Sequence, residues 1–398
     1  MAASDVVITG IGIVSSLGEG VDLHWATLSD PDFSPRVDSE RFAPYPIHPL
    51  IAVDWSQQIP GRSDQRQMDG WQKTGVYAAG LALEDAGIKG NDALCSTMDM
   101  IVAAGGGERD DAVDRAILSE APTAGDTGVL LNKRLKTELR PTLFLAQLSN
   151  LLAGNISIVH KVTGSSQSFM GEEAAGISAL QTAVARITSG QATHMLIGGA
   201  FNCEHPEFLL LYEIGGRLLR GDWKSVWDRK QSEGGGVVLG SAGCFLVLES
   251  AAHAAARGAK AYARLSRVEA GSARRNDDYR SQLRLMADRT GGSGAVVISG
   301  ASGAHRATSD ERAAFDGTPL RGIANAFGHL KEAQFPTAVA VAAMAVSRRQ
   351  APTAFAPDAE AEVPAPVTAA LATTVGYHRS EGIALLEAVR GDVLERHP

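Results

Sequence analysis

Residues 238–265 read VLGSAGCFLVLESAAHAAARGAKAYARL, and this stretch decides the fold class. Cys244–Glu249 is a short, almost unbroken apolar run, the pattern of a strand buried on both faces. Ala251–Arg257 is rich in alanine and predicts a helix, which Gly258 closes. A second strand-like segment leads out to Leu265. Working outward, the same alternation recurs on both sides. Val6–Ile8 predicts a strand that runs into Gly10 and Gly12, followed by a helix over Leu23–Leu28. Asp69–Ala86 is an amphipathic helix with Trp71, Thr74, Gly75, Ala78, Leu81 and Ala82 on one side. Met100–Ala104 predicts a strand opening into Gly105–Gly107. Ala174–Ser189 predicts a helix, His194–Ile197 a strand, and Gly198–Gly199 a turn. After residue 265, Val296–Ser299, Ala370–Thr374 and Ile383–Glu387 predict strands, Gly300–Gly303 a loop, and Ala338–Ser347 a helix of small residues. Strands alternating with helices through both parts predict an α/β protein with a mostly parallel sheet. The helices carry many Ala and Gly residues, as close contact inside a multilayered core requires.

The length of 398 residues suits two or three core-sized units. Apolar residues make up 44% and charged residues 21%, the composition of an ordinary globular chain. The net charge of -8 argues against a nucleic-acid binder and gives no global attraction to an acidic partner. Docking to an acidic protein would need a local basic patch, for which Arg62 with Arg66, Arg217 with Arg220, and Arg274 with Arg275 are the candidates. No apolar run reaches the length of a membrane span, and Met1–Thr9 lacks a basic leader segment. A cytoplasmic protein is the simplest expectation. Cys95, Cys203 and Cys244 show no metal spacing and are too few for a disulfide framework. No metal or cofactor is expected. Ala351–Pro366, rich in Ala, Pro and acid, is the one stretch with a disordered composition.

Several segments resemble the β-ketoacyl-carrier-protein synthases. VVITGIGIVSSLGEG at the amino terminus is similar to their first strand and loop. Val238–Leu265 is similar to the strand–helix–strand that opens their second half. Gly328–Ala333 (GHLKEA) resembles their second-histidine motif, and Thr374–Glu387 (TVGYHRSEGIALLE) their carboxy-terminal aromatic gate. The likeness runs in order from residue 6 to about residue 389. It implies the thiolase fold, with two α/β halves (1–240 and 241–398) in a five-layered αβαβα sandwich, normally dimeric. Gly10 and Gly12 are not a dinucleotide fingerprint, because Ser15 stands at the third glycine.

The resemblance also implies a chemistry: a cysteine at a helix start accepts the acyl chain, and two histidines with a lysine serve the malonyl extender. Counting back from the strand and Gly-Gly-Ala at His194–Ala200, the cysteine position falls on Glu173. The first-histidine position falls on Ser302, in the register that also matches Asp310; a three-residue slip would supply His305 instead. The lysine position falls on Ala324. Only the second histidine, His329, is retained. A carboxylate would give a hydrolysable mixed anhydride, so the condensing route is expected to be closed. The resemblance then narrows to chain-length-factor subunits, and in style to degenerate synthases of very-long-chain acyl pathways. It implies an active ketosynthase partner, or a second copy of this chain, together with an acyl carrier protein and an acyl chain. Phe169 and Met170 become tunnel-wall candidates and Tyr377 the gate; packed core residues would fit the same pattern. Glu173 could cap its helix and nothing more, and His329 could be a hydrogen-bonded core histidine. Phe208–Tyr212 is a helix at the pocket or core. His160, His194, His205 and His378 are expected to be ordinary. The alternatives to a partner subunit are a malonyl-carrier decarboxylase using Glu173 and His329, and a homodimeric synthase with an unforeseen nucleophile.

Overall fold

A computed structural model describes residues 1–275, 278–292 and 294–389, with the side chain of Glu233 left aside. Five strands come first along the chain: β1 (Val6–Ser15), β2 (Asp99–Ala103), β3 (Ser166–Phe169), β4 (His194–Phe201) and β5 (Ala242–Ser250). Five follow: β6 (Ala263–Gly271), β7 (Val296–Ser299), β8 (Leu320–Gly322), β9 (Ala369–Val375) and β10 (Glu381–Glu387). Among the described residues they lie in one 11-stranded sheet, ordered β8-β7-β9-β10-β6-β1-β5-β4-β2-β3, with Gly18–Glu19 paired to β1 outside this path. The halves meet where β1 pairs with β6 through Val6–Ile8. Strand β5 follows the 240/241 division in sequence and lies between β1 and β4.

The expectation of a mostly parallel sheet is corrected. Pairing is parallel only at the two flanks, β3-β2-β4 and β8-β7-β9. It is antiparallel through the centre, from β9 across β10, β6, β1 and β5 to β4. The central strands are apolar on both faces, as in a parallel sheet, because helices cover both sides.

Side-chain alternation shows how the layers stack. In β5, Cys244, Leu246 and Leu248 join the central core, whereas Phe245 and Val247 face the helix α1 (Gly70–Asp85). In β10, Ala384 and Leu386 join the same central core, whereas Ile383 and Leu385 face outward toward Met286 of the Tyr279–Thr290 helix. Both half-sheets therefore press inner faces on one middle layer. That layer is α2 (Glu173–Thr188) and the later helix Gln334–Ser347, whose residues 334–346 are all buried. The order is helix, sheet, helices, sheet, helix.

Small residues permit this spacing. A Cβ at Gly12 would stand 2.0 Å from the Ala78 carbonyl oxygen of α1. Gly12 thus serves helix packing, not a phosphate. Gly198–Gly199 is corrected from a turn to continuous β4, where a Cβ at Gly198 would meet the Cys244 carbonyl oxygen at 2.2 Å. Ala351–Pro366 is irregular but held: the buried Glu360 accepts from Trp227 Nε1 and Gly322 N at 2.8 Å each, and Arg321 donates to the Pro352 and Ala361 carbonyls. Its backbone groups find partners outside the segment, which composition does not reveal.

Overpacking of this kind costs about 1–3 kcal/mol. Gly198→Ala is expected to lose at least that much stability, read as a lower denaturation midpoint with an unchanged slope. A neutral result would mean that β4 and β5 are not so close.

Candidate functional site

Strand β3 ends at Phe169, and the chain turns through Met170–Glu172 into α2. Glu172 carries the strain of this turn, with φ 54° and ψ -130°. Such a conformation costs a non-glycine residue roughly 1–3 kcal/mol and persists only where packing holds it. The next residue, Glu173, is the first of α2 and is buried.

His329 faces it, with Nε2 3.2 Å from Glu173 Oε1. His329 is fixed by its backbone, which donates to the Val238 carbonyl at 2.7 Å and accepts from Gly240 N at 3.0 Å. Gly376 lies on the other side, where a Cβ would come within 3.2 Å of Glu173 Oε2. Burial by itself would push the Glu173 carboxyl up; the His329 ring, with a smaller contribution from Lys331, outweighs it and brings it below the usual carboxylate range. The start of the helix adds to this preference for an anion.

The structure therefore brings together Glu173 and His329. It places Ser302 after β7, buried, with Oγ accepting from Ala304 N at 3.2 Å. His305 is the first residue of the helix α4 (His305–Ala314) and turns Nε2 to the Gly234 carbonyl at 2.7 Å. Ala324 is buried in a small apolar cluster with Val226 and Ala301. Phe169 packs on the central core, Met170 is 62% exposed, and Tyr377 is half-buried.

Sequence reasoning missed the charged ring around this pair. Lys331 is buried with φ 48°, and its Nζ lies 4.0 Å from both Glu172 Oε1 and Glu332 Oε1. It also stands over the rings of Phe201 and Phe208 at 5.2 and 5.3 Å, a cation–π setting. Burial raises the carboxyl of Glu332. Phe208 and Tyr212 come from the helix α3 (Pro206–Ile214), which is spliced between the site and the surface. Tyr212 is buried, with its ring 6.3 Å from that of His329. Arg217 covers Tyr212 and Tyr377 at 5.5 and 4.2 Å and contacts His378. The one signal in the sequence was the pair of adjacent charges, Lys331 and Glu332, two residues after His329.

The thiols are elsewhere. Cys203 and Cys244 are buried, and burial pushes both up to about 12. Cys95 is also buried and raised for the same reason. None is poised as a thiolate. Tyr377 and His378 line a hollow of about 690 Å³ together with Arg274 and Arg275. Arg275 is pinned there by Glu381. Arg220 is paired with Glu213. His205, expected to be ordinary, binds the buried Glu108 at 3.1 Å, which also accepts from Gly70 and Trp71 backbone N–H groups.

The β-ketoacyl synthase N-terminal domain family matches residues 3–254. The chain belongs to this family. Among β-ketoacyl synthase relatives, the 3-oxoacyl-[acyl-carrier-protein] synthase 2 of Vibrio cholerae is 27% identical over 278 residues, which cover 66% of this chain and 62% of that protein. The tetracenomycin polyketide synthase ketoacyl synthase beta subunit of Streptomyces glaucescens is 29% identical over 265 residues, or 65% of this chain and 61% of the relative. The aligned part is thus under two thirds of each relative's length. The fold extends further: the ishigamide ketosynthase/chain length factor structure superposes with a TM-score of 0.76 at 20% identity, covering 97% of this chain and 99% of that one. A type II polyketide synthase ketosynthase, solved with its acyl-carrier protein and bound to a hexaketide, gives 0.73 at 18% identity, covering 97% and 99%. Among the described residues no helix is long and apolar enough to cross a membrane.

Removing one member of a buried charged pair costs about 3–5 kcal/mol, because the other is stranded. His329→Leu is expected to fall in this range, and Glu173→Gln/His329→Leu to recover part of it in a double-mutant cycle. The Glu173 pKa is depressed by folding. Its contribution is therefore present above the unfolded value of about 4.3 and lost as pH falls through the folded value. The stability gap between the natural chain and Glu173→Gln should close on acidification; a gap that widens toward acid would contradict the pairing.

Proposed function

We propose that this chain is a non-condensing, chain-length-factor-type subunit of fatty acid or polyketide elongation, acting beside an active ketosynthase. One observation carries this reading: the carboxylate of Glu173 occupies the start of α2 against His329, while all three cysteines are buried away from it with unreactive thiols. Acyl transfer to a carboxylate would form an anhydride, and a Glu173–His329 pair leaves the ring engaged with a neighbour. Ser302 and Ala324 offer neither an imidazole nor an ammonium at the other two positions of the family chemistry.

The surface supports a partner. Strand β3 is the edge of the sheet and is largely exposed, so its backbone can accept another strand. Near it in sequence, Phe144, Leu145, Ile158 and Met170 are between 50% and 70% exposed. Large apolar side chains concentrated in this way mark an interface. The partner is an intact ketosynthase, and a second copy of this chain would use the same face. Phe169 and Met170 then lie where the two subunits meet and can bound the acyl tunnel, with Tyr377 as its gate. An acidic carrier protein would meet Arg274, which is exposed beside the Glu381-paired Arg275. The setting is cytoplasmic.

The reading predicts that the purified chain, given acyl- and malonyl-carrier proteins, makes no 3-oxoacyl product. It co-elutes with a Cys-His-His ketosynthase from the same source, and the pair elongates. Condensation by the chain alone would overturn the proposal. The retained His329 favours one second reading, a malonyl-carrier decarboxylase. That reading predicts acetyl-carrier protein from malonyl-carrier protein, with at least a tenfold loss in His329→Ala.

A further inference from the structure

A buried cation beside α4 has no counter-ion among the described residues. Arg229 is 7% exposed. Its Nε donates to the Lys224 carbonyl at 3.0 Å and its Nη1 to the Gly236 carbonyl at 2.9 Å. Nη2 has no partner among the described residues. Among the described residues no carboxylate pairs with this guanidinium; burial lowers it, to about 9, so it stays charged at neutral pH. A buried charge without a partner is costly, and the usual remedy is an anion.

The surroundings fit one. Arg229 lines a crevice of about 140 Å³ between the Val226–Arg229 segment and α4. The other polar walls are His305, Thr308, Ser309 and Arg312, and the indole of Trp227 closes one side. Arg312 lies over that indole, its guanidinium 5.7 Å from the ring centroid, which leaves its charge at the crevice. One flank of α4 faces the same space through Thr308, Ser309 and Arg312, so the crevice holds two guanidinium groups, those of Arg229 and Arg312. The backbone that forms the crevice is built for close approach: Gly236 and Gly303 both have left-handed φ, 82° and 90°, and a Cβ on Gly303 would stand 2.6 Å from Arg229 Nη1. The hollow is too small for an acyl chain or a nucleotide, since pockets for such ligands run to about 300 Å³ or more. It has room for a tetrahedral oxyanion and a few waters, each of which takes about 30 Å³.

We propose that the crevice between Arg229 and α4 is a binding site for a phosphate-type oxyanion, which clamps the Trp223–Gly236 segment to α4. The site is separate from Glu173 and does not depend on the role assigned to that residue. An anion that binds the folded chain alone raises its melting temperature with concentration.

The test uses the full chain at fixed ionic strength, with chloride exchanged for inorganic phosphate up to about 20 mM. A rise in Tm of about 2 °C or more is expected. Arg312→Gln, which is exposed and leaves the core intact, should remove most of the rise. Arg115→Gln, on the distant Asp111–Glu120 helix, should keep it. Arg229→Gln should remove it too, and Arg312→Gln decides the matter if that variant fails to fold. A parallel titration with glycerol 3-phosphate tells a free ion from an ester: equal protection assigns the site to a terminal phosphate group, and protection by inorganic phosphate alone assigns it to the free ion. No rise with either anion, or a rise that survives in Arg312→Gln, would overturn the proposal.

Discussion

The structure depends on one packing constraint: a helix of small residues, Gln334–Ser347, buried on every side between the two halves of one sheet. Ala, Val and Thr at its surface let α2 approach closely, and a Cβ at Gly176 of α2 would already stand 2.9 Å from the Glu332 carbonyl oxygen. Because both half-sheets press on this pair of helices, the start of α2 cannot shift, and neither can the Gly328–Glu332 turn that leads into the other helix. Glu173 and His329 meet because the middle layer has no slack. The strained turn at Glu172 and the left-handed Lys331 are held in the same way.

This rigidity gives the site its chemical character. A carboxylate at a helix start, close to an imidazole and enclosed by Tyr212 and Phe208, is favoured as an anion despite its burial. It is a poor place for a transferable acyl group. Lys331 extends the pattern, since it sits between two carboxylates and two aromatic rings. Around Glu173 and His329 the charged groups of Glu172, Lys331 and Glu332 face one another. On the proposed reading the centre is a structural joint and the exposed β3 edge the working surface.

The sequence made the fold legible where local pattern and tertiary role coincide. The buried run of β5, the Ala-rich helices and the glycines at close contacts all carried their information locally, and Glu173, which spacing put at a helix start, does begin α2 and lies against His329. Strand direction was not legible, because a strand covered on both faces has the same composition in parallel and antiparallel pairing. Gly198–Gly199 looked like a turn because two glycines usually are one; here they admit the β5 backbone. The burial of Glu360 and Glu108 was not legible either, since groups that satisfy them, Gly322 N and Trp227 for one and Gly70, Trp71 and Asn202 for the other, are distant in the chain. Lys331 and Glu332 were visible as charges but not as buried ones. The same holds for Arg229, whose lack of a counter-ion exists only in three dimensions.

The central claim is that this chain has no acyl-accepting nucleophile where the family keeps one. Intact-mass spectrometry after incubation with an acyl-carrier thioester measures this directly. The account predicts an unchanged mass for the natural chain and a single added acyl group for Glu173→Cys. An acyl adduct on the natural chain, mapped to the start of α2 or to any buried cysteine, would contradict it.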